Sequence, residues 1–344
     1  MIEAGTGNLL ASDAEALVNT VNTVGVMGKG IALQFKNAYP SNFKAYAAAC
    51  KRDEVVPGKM FVYDTGVMGT SARYIINFPT KRHWKGKSRI EDIEAGLIDL
   101  VRVLREYAIQ SVAVPPLGCG NGGLDWRAVE PMIRSALEQV PNVRVILHAP
   151  DGAPANEGML IATPTPRLTG PKAAMIAVMG KYLLPDYKLS ALEAQKLAYY
   201  LQVVGLPMKL RYTKEAFGPY AENLNHALIA LEGHFTRGFG DRSSKVALHL
   251  LPGAAEAADE YLTGDPLAAE AVRNVGELVR GYETAYGLEL LATVHWATID
   301  VGSDDDAQVC KYVQGWTPRK GEIFTSEHIA KALKRLRASG LVAA

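Results

Sequence analysis

Apolar and polar positions along the first 150 residues alternate between two periods. Short apolar runs at Ala16–Asn22, Met60–Tyr63, Tyr74–Phe78, Ser111–Val114 and Val143–Leu147 have the length and β-branched content of buried strands. Between them, Ser41–Lys51, Arg89–Tyr107 and Asp125–Val140 repeat their apolar residues at helical spacing, and a further helix begins near Ile31. This order predicts an α/β fold, a mixed sheet between layers of helices. Ser88-Arg89-Ile90-Glu91 has capping-box spacing and predicts the start of a helix after Lys87, leaving Thr80–Lys87 as the loop at a strand's end.

Turn-forming residues at Pro150–Pro154, Thr163–Pro166 and Gly170-Pro171 interrupt the pattern and predict a domain at 1–150, a linker at 151–171 and a second domain at 172–344. The second part reads as mainly helical. Ser190-Ala191-Leu192-Glu193 is another capping box, and Asp265-Pro266 reads as an N-cap with proline in the first turn. A capped helix from Phe324 through Leu336, then a short strand at Ser339–Val342, is an order that occurs in winged-helix modules.

Two glycine loops carry the candidate chemistry. The first follows Ala16–Asn22: Asn19 and Asn22 supply amides near the strand's end, and Gly25, Gly28 and Gly30 allow the backbone to approach a ligand before the helix at Ile31. The second, Pro115-Pro116-Leu117-Gly118-Cys119-Gly120-Asn121-Gly122-Gly123, lies between a strand and a helix. Two such loops can clamp a diphosphate, although each alone is a weak signal.

Composition narrows the field. Three scattered cysteines, Cys50, Cys119 and Cys310, make neither a disulfide framework nor a zinc cluster, and no metal site is expected. Cys119 is either a nucleophile favoured by a nearby helix N-terminus or a small loop residue. The chain opens without a signal-peptide pattern and has no bilayer-length apolar run, so a cytoplasmic location is expected. The net charge of +1 hides a partition, since residues 253–308, with Asp304, Asp305 and Asp306 near their end, carry net −10 and residues 309–344 carry net +5. An acidic block repels nucleic acid and attracts a protein that holds it, or else forms solvated helix faces. Arg335 and Arg337 are candidates for phosphate contact or for solvent.

On these residues, positions 1 to about 148 resemble a macrodomain, the fold that binds ADP-ribose. The resemblance rests on the Gly7-Asn8-Leu9-Leu10 turn, VNTVNTVGVMGKGIALQFK over 18–36, NFPTK over 77–81 and PPLGCGNGG over 115–123. It is greatest to the branch of glycohydrolases that act on ADP-ribosylated protein or DNA, and within it to DNA ADP-ribosyl glycohydrolase antitoxins. The resemblance implies that Lys81, after Thr80, is catalytic. A lysine beside a diphosphate and ribose can polarise a leaving group, or attack the anomeric carbon if its pKa is lowered. It places Asn8 near the adenine with Leu9 and Leu10, Asn22 near the distal ribose, and Gly25, Met27, Gly28, Lys29, Gly30 and Ile31 opposite Leu117, Gly118, Cys119, Gly120, Asn121 and Gly122 around the diphosphate. Lys29 pairs with phosphate or points outward. Arg82, Lys85 and Lys87 either tune Lys81 or contact a nucleic-acid substrate.

One departure stands out. Protein-acting relatives carry an aspartate two residues after the GCG motif, where this chain has Gly122; Asp125, further on, reads most simply as a helix N-cap. Lys81 assisted by Asn22 and backbone donors is therefore the mechanism expected. ADP-ribose is bound as substrate moiety or product, and no cofactor is called for. The second half has a weaker similarity to antitoxin domains through QKLAYYLQ (195–202) and FGPYAENLNHALIALEGH (217–234), with Tyr199, Tyr200, Tyr220 and Leu224 as core or interface. The implied partners are a DNA-modifying ADP-ribosyltransferase toxin and ADP-ribosylated single-stranded DNA, with no membrane. Rival readings are a non-catalytic ADP-ribose-binding module, an O-acyl-ADP-ribose deacylase and a transcription regulator.

Overall fold

The computed structural model describes residues 1–344 apart from 68–71, 151, 153, 156, 157, 183–186, 243–245, 304 and 344. The chain divides into two units. One comprises Met1–Pro164 with Gly240–Ser244, the other Thr165–Phe239 with Lys245–Ala344.

The first unit is built on a six-stranded sheet of β1 (Ile2–Gly5), β2 (Ala16–Asn22), β3 (Phe61–Asp64), β4 (Tyr74–Lys81), β5 (Ser111–Val114) and β6 (Arg144–His148), in the order β1-β6-β5-β2-β4-β3. Every neighbouring pair is parallel except β3 with β4, so the sheet is mixed as expected. Side-chain alternation divides the strands between two faces. Ala16, Val18, Ile76 and Val114 pack with helix α3 (Ile90–Glu106) and helix α4 (Trp126–Leu137). Leu17, Ile75 and Ala113 pack on the other side with Phe35 of helix α1 (Gly30–Ala38), while helix α2 (Pro40–Cys50) adds Tyr46 and Ala49 to a neighbouring cluster. The central strands read as continuous apolar runs because both faces are covered.

Parallel strands release their C-terminal loops at one edge. β5, β2 and β4 are adjacent, so the loops after Val114, Asn22 and Lys81 emerge side by side. At that edge the pairing skips a residue: Val21 lies opposite Pro79 but Asn22 opposite Lys81, leaving Thr80 as the extra position of a bulge. Bulges are uncommon in parallel pairs and re-aim the side chains that follow them.

One expectation is corrected here, and one element was missed. The box predicted at Ser88 does not form: α3 is capped at Arg89 without a side-chain bond, and Ser88 is buried beneath the second glycine loop. Strand β1 was not expected, because four residues with little alternation carry almost no signal of their own.

The second unit is helical: α5 (Gly170–Tyr182), α6 (Ala191–Val203), α7 (Leu224–Leu231), α8 (Ala254–Thr263), α9 (Pro266–Val279), α10 (Ala285–Val301), α11 (Asp306–Gln314), α12 (Pro318–Ile323) and α13 (Ser326–Ala338). Two short antiparallel ribbons, Thr213–Glu215 with Gly218–Tyr220 and Thr236–Arg237 with His249–Leu250, complete it. Both caps read from the sequence are present, the Ser190/Glu193 box and Asp265 ahead of Pro266. No strand follows α13 among the described residues, so the winged-helix order stops at its helix.

Helix α5 is apolar around its circumference because it is central, flanked by α6, α8 and α9. Tyr199, Tyr200 and Leu224 are buried in the same core, with the Tyr199 hydroxyl 2.7 Å from His295 Nδ1, whereas Tyr220 is half-buried.

Candidate functional site

Buried amides under the strand ends set the base of the site. Asn19 is fully buried and donates to Asn77 Oδ1 at 2.9 Å, and Asn77 donates to Asn42 Oδ1 at 2.8 Å, linking β2, β4 and α2. Asn19 therefore belongs to the core rather than to the ligand edge expected of it. Asn22 has a different task. Its Oδ1 accepts from Val24 N at 3.0 Å and Val26 N at 3.2 Å, its Nδ2 donates to Val26 O at 2.5 Å, and Tyr46 donates to its carbonyl. The Asn22 side chain holds the first glycine loop in shape.

Among the loop residues, Met27 is buried, Gly25 and Gly28 are half-buried and Lys29 is exposed. Lys29 caps α1 in extended geometry without a side-chain bond, so the first-turn N–H groups of α1 have no side chain of its cap against them. Gly30 N donates to Asp241 O at 2.8 Å, and Gln34 Nε2 to Asp241 Oδ2 at 2.7 Å, from the short Gly240–Ser244 segment of this unit. No sequence signal joins positions so far apart.

The second loop meets the first. A Cβ on Gly30 would lie 2.8 Å from the end of the Asn121 side chain, and its φ of +62° is the conformation that favours glycine there. Gly122 is more restricted still: a Cβ would fall 2.2 Å from both Gly118 O and Ser88 Oγ. Its carbonyl accepts from Ser88 N at 3.0 Å. The aspartate of protein-acting relatives has no room at this position. Leu117 and Gly118 are buried beneath the loop, Cys119 is half-buried, and Gly120 and Asn121 are exposed at its tip.

Lys81, the last residue of β4, donates through Nζ to the main-chain carbonyl of Asn121. Partial burial holds its pKa below the ordinary lysine value. The preceding Thr80 is buried with Oγ1 3.5 Å from Val21 O, where it closes the bulge. Asp125 caps α4 by accepting from Arg127 N at 3.0 Å. Cys119 does not suit the nucleophile reading, since burial, and then Asp125, push its thiol up to about 11.

Asn8 caps its own short turn. It accepts from Leu10 N at 3.0 Å and donates to Gly158 O at 3.3 Å, while Leu9 and Leu10 are buried in the cluster that also receives Ile31. Thr23, Tyr46 and Asp241 were not singled out from the sequence, and Ser88 was read only as a helix cap. Nothing in an isolated sequence links them to the loops they brace.

In the second unit part of the basic segment pairs with part of the acidic one. Glu289 is buried with Arg319 at 2.8 Å and Lys320 at 2.5 Å, and Arg337 pairs with Asp306 at 2.7 Å. Arg335 donates to Arg280 O at 2.9 Å. Arg335 and Arg337 thus tie α13 to its own unit while remaining partly exposed. Within the acidic block, exposed Glu256, Asp259 and Glu260 share one face of α8. Asp304 lies outside the described residues.

No group of three or more His, Cys, Asp or Glu that could hold a metal occurs among the described residues, and no described helix is long and apolar enough to cross a membrane.

Strand ends, clamped loops and a lysine at their junction define a class, and residues 18–133 match the Macro domain family. The DNA ADP-ribosyl glycohydrolase of Thermus aquaticus is 48% identical over 340 residues, 99% of this chain and 94% of that protein. A DNA ADP-ribosyl transferase–DNA ADP-ribosyl glycohydrolase fusion protein of Thermosipho africanus is 38% identical over 141 residues, 37% of this chain and 36% of that one. Among solved structures, the macrodomain of Mycobacterium tuberculosis DarG has 61% identity and a TM-score of 0.43, covering 44% of this chain and 99% of that one. The chain belongs to the DNA ADP-ribosyl glycohydrolase family.

Proposed function

We propose that this protein hydrolyses the glycosidic bond between ADP-ribose C1″ and a nucleobase in DNA, releasing ADP-ribose and restoring the base. Its helical half binds and restrains a DarT-like ADP-ribosyltransferase toxin. The observation that carries the reading is Lys81 Nζ placed against the Asn121 carbonyl, where the two glycine loops meet.

The main-chain donors of the loops hold the diphosphate, which fixes the distal ribose beside Lys81. Water forms the new bond to C1″ as the bond from C1″ to the base breaks. The Lys81 ammonium gives a proton to the departing base, and the proton shed by water returns to the lysine. Positive charge developing on the ribose is stabilised by the diphosphate oxygens and fixed dipoles around it. The other role open to Lys81, attack on C1″ as a neutral amine, is equally compatible with this hydrogen bond, which either protonation state can donate, and is favoured by the lowered pKa. A paired-carboxylate scheme has no place at Gly122, and Asp125 is occupied as a cap.

The fused arrangement in Thermosipho africanus, which joins a transferase and a glycohydrolase in one chain, supports a transferase as the partner. The test is incubation with ADP-ribosylated single-stranded DNA while ADP-ribose release is followed. Tight ADP-ribose binding without release would instead make this a binding module.

A further inference from the structure

The loop after Lys81 is built rather than slack. At its start, Arg82 O accepts from Thr23 Oγ1 of the first glycine loop at 2.7 Å, and the Arg82 guanidinium reaches Asp92 at 3.0 and 3.3 Å. At its end, Ser88 N donates to Gly122 O of the second glycine loop at 3.0 Å. Between these anchors a tight turn is closed by Gly86 N to His83 O at 3.0 Å and by Lys85 N to His83 Nδ1 at 3.2 Å. The turn displays Trp84, which is 50% exposed. His83 stacks beside it with ring centroids 5.5 Å apart and planes 29° apart, and Lys85 Nζ lies 5.0 Å from the indole centroid.

An isolated exposed aromatic means little by itself. Here three further features coincide. The indole is three residues beyond Lys81, within about 11 Å of chain. It is held by neighbours that are themselves fixed to both sides of the candidate site. Lys85, Lys87 and Arg89 are exposed around it, whereas Arg82 is already paired with Asp92. A π-face flanked by cations is the form of a platform on which a base stacks while the adjoining phosphates are neutralised.

We infer that Trp84, with His83 and Lys85, stacks an unpaired base next to the modified nucleotide of single-stranded DNA and so positions the scissile bond at Lys81. The inference rests on the reading of the site as a DNA ADP-ribosyl glycohydrolase. Trp84 touches the flanking nucleotide, not the ADP-ribose, and acts on substrate choice. Duplex DNA offers no free base face at that distance and is disfavoured.

The experiment uses the full chain and two substrates: a single-stranded oligonucleotide with one ADP-ribosylated base, and the ADP-ribosylated nucleoside obtained from it by nuclease and phosphatase digestion. Trp84→Ala is expected to raise KM for the oligonucleotide about ten- to a hundredfold, the scale of one lost base stack. Its kcat stays near wild type, its turnover of the nucleoside is unchanged, and Trp84→Phe recovers most of the loss. Replacing Lys85 and Lys87 with Gln is expected to flatten the dependence of log KM on log salt by about 1.4, some 0.7 per phosphate contact in a single strand. An equal loss on both substrates, or no loss on the oligonucleotide, overturns the inference. If the wild-type chain hydrolyses neither substrate, the hydrolase reading fails on its own. Anisotropy with the same ADP-ribosylated oligonucleotide then decides the platform, since equal affinities for wild type and Trp84→Ala would refute it.

Discussion

Lys81 Nζ is hydrogen-bonded to the carbonyl of Asn121, joining the end of β4 to the tip of the loop after β5. A side chain tied to the neighbouring loop enters the reaction already oriented, and little of its freedom remains to be lost.

Lys81→Ala is expected to lower turnover of ADP-ribosylated DNA by about 10²–10⁴-fold, the range of general-acid contributions. Affinity for ADP-ribose changes little, because main-chain donors hold the diphosphate. Turnover beside calorimetric titration checks both halves of this expectation; near-normal turnover would remove Lys81 from the mechanism.

Gly120 and Gly122 separate binding from folding. Nothing lies within 4 Å of a Cβ on Gly120, so Gly120→Val is expected to leave the melting transition in place. Its added methyls face the approach to the loop and should weaken ADP-ribose binding by about tenfold, the cost of roughly one charge-assisted hydrogen bond. Gly122→Asp meets Gly118 O and Ser88 Oγ and is expected to destabilise the first unit by about 1–3 kcal/mol. Thermal melting and titration of both variants test the contrast, and equal stability of the two would contradict the packing described.

Lys196 makes the stability of the second unit depend on pH. Its Nζ is buried, donates to Pro219 O at 2.7 Å, and is held down to about 7 by burial and by the nearby Lys320. The unfolded chain therefore binds more protons than the folded one between about pH 7 and the usual lysine range. Stability rises with pH across that window and falls as pH drops toward 7, with a slope of at most about 1.4 kcal/mol per pH unit. Denaturant melts from pH 7 to 9.5 should show the slope in wild type and a flatter profile in Lys196→Met. Identical profiles would mean that Lys196 stays charged in the folded protein.

The acidic stripe on α8 should govern encounter with the toxin. In the full chain carrying Lys81→Ala, to separate inhibition from hydrolysis, Glu256→Gln, Asp259→Asn and Glu260→Gln together are expected to slow association about tenfold at low salt and less at high salt. Surface-capture kinetics read this directly. A wild-type association rate in the triple variant places the contact elsewhere on the unit.

Much of the first unit was legible because its signals are local. Apolar runs mark β2, β4, β5 and β6, and glycine clusters mark the loops between sheet and helices. The site was harder to read. Asn19 and Asn22, three residues apart on the same strand, look equivalent in sequence, yet one lies in the core and the other braces a loop. Ser88 has the spacing of a cap, but the approach of Gly122 uses its backbone and buries it, a contact no spacing rule contains. In the second unit, charge sums showed an acidic block and a basic tail but not that Arg319, Lys320 and Arg337 pair with Glu289 and Asp306. Composition counts charges without saying which of them face each other.

The buried pair of Asn19 and Asn77 has a consequence for how the sheet assembles. Parallel strands that are apolar on both faces can slide along one another with little change in hydrophobic burial, and a slip would stagger the loops that they carry. An amide that finds its counterpart at only one rung penalises every other alignment by leaving a polar group stranded in hydrocarbon. Asn19 and Asn77 thus act as a register key, bringing the ends of β2 and β4 out level.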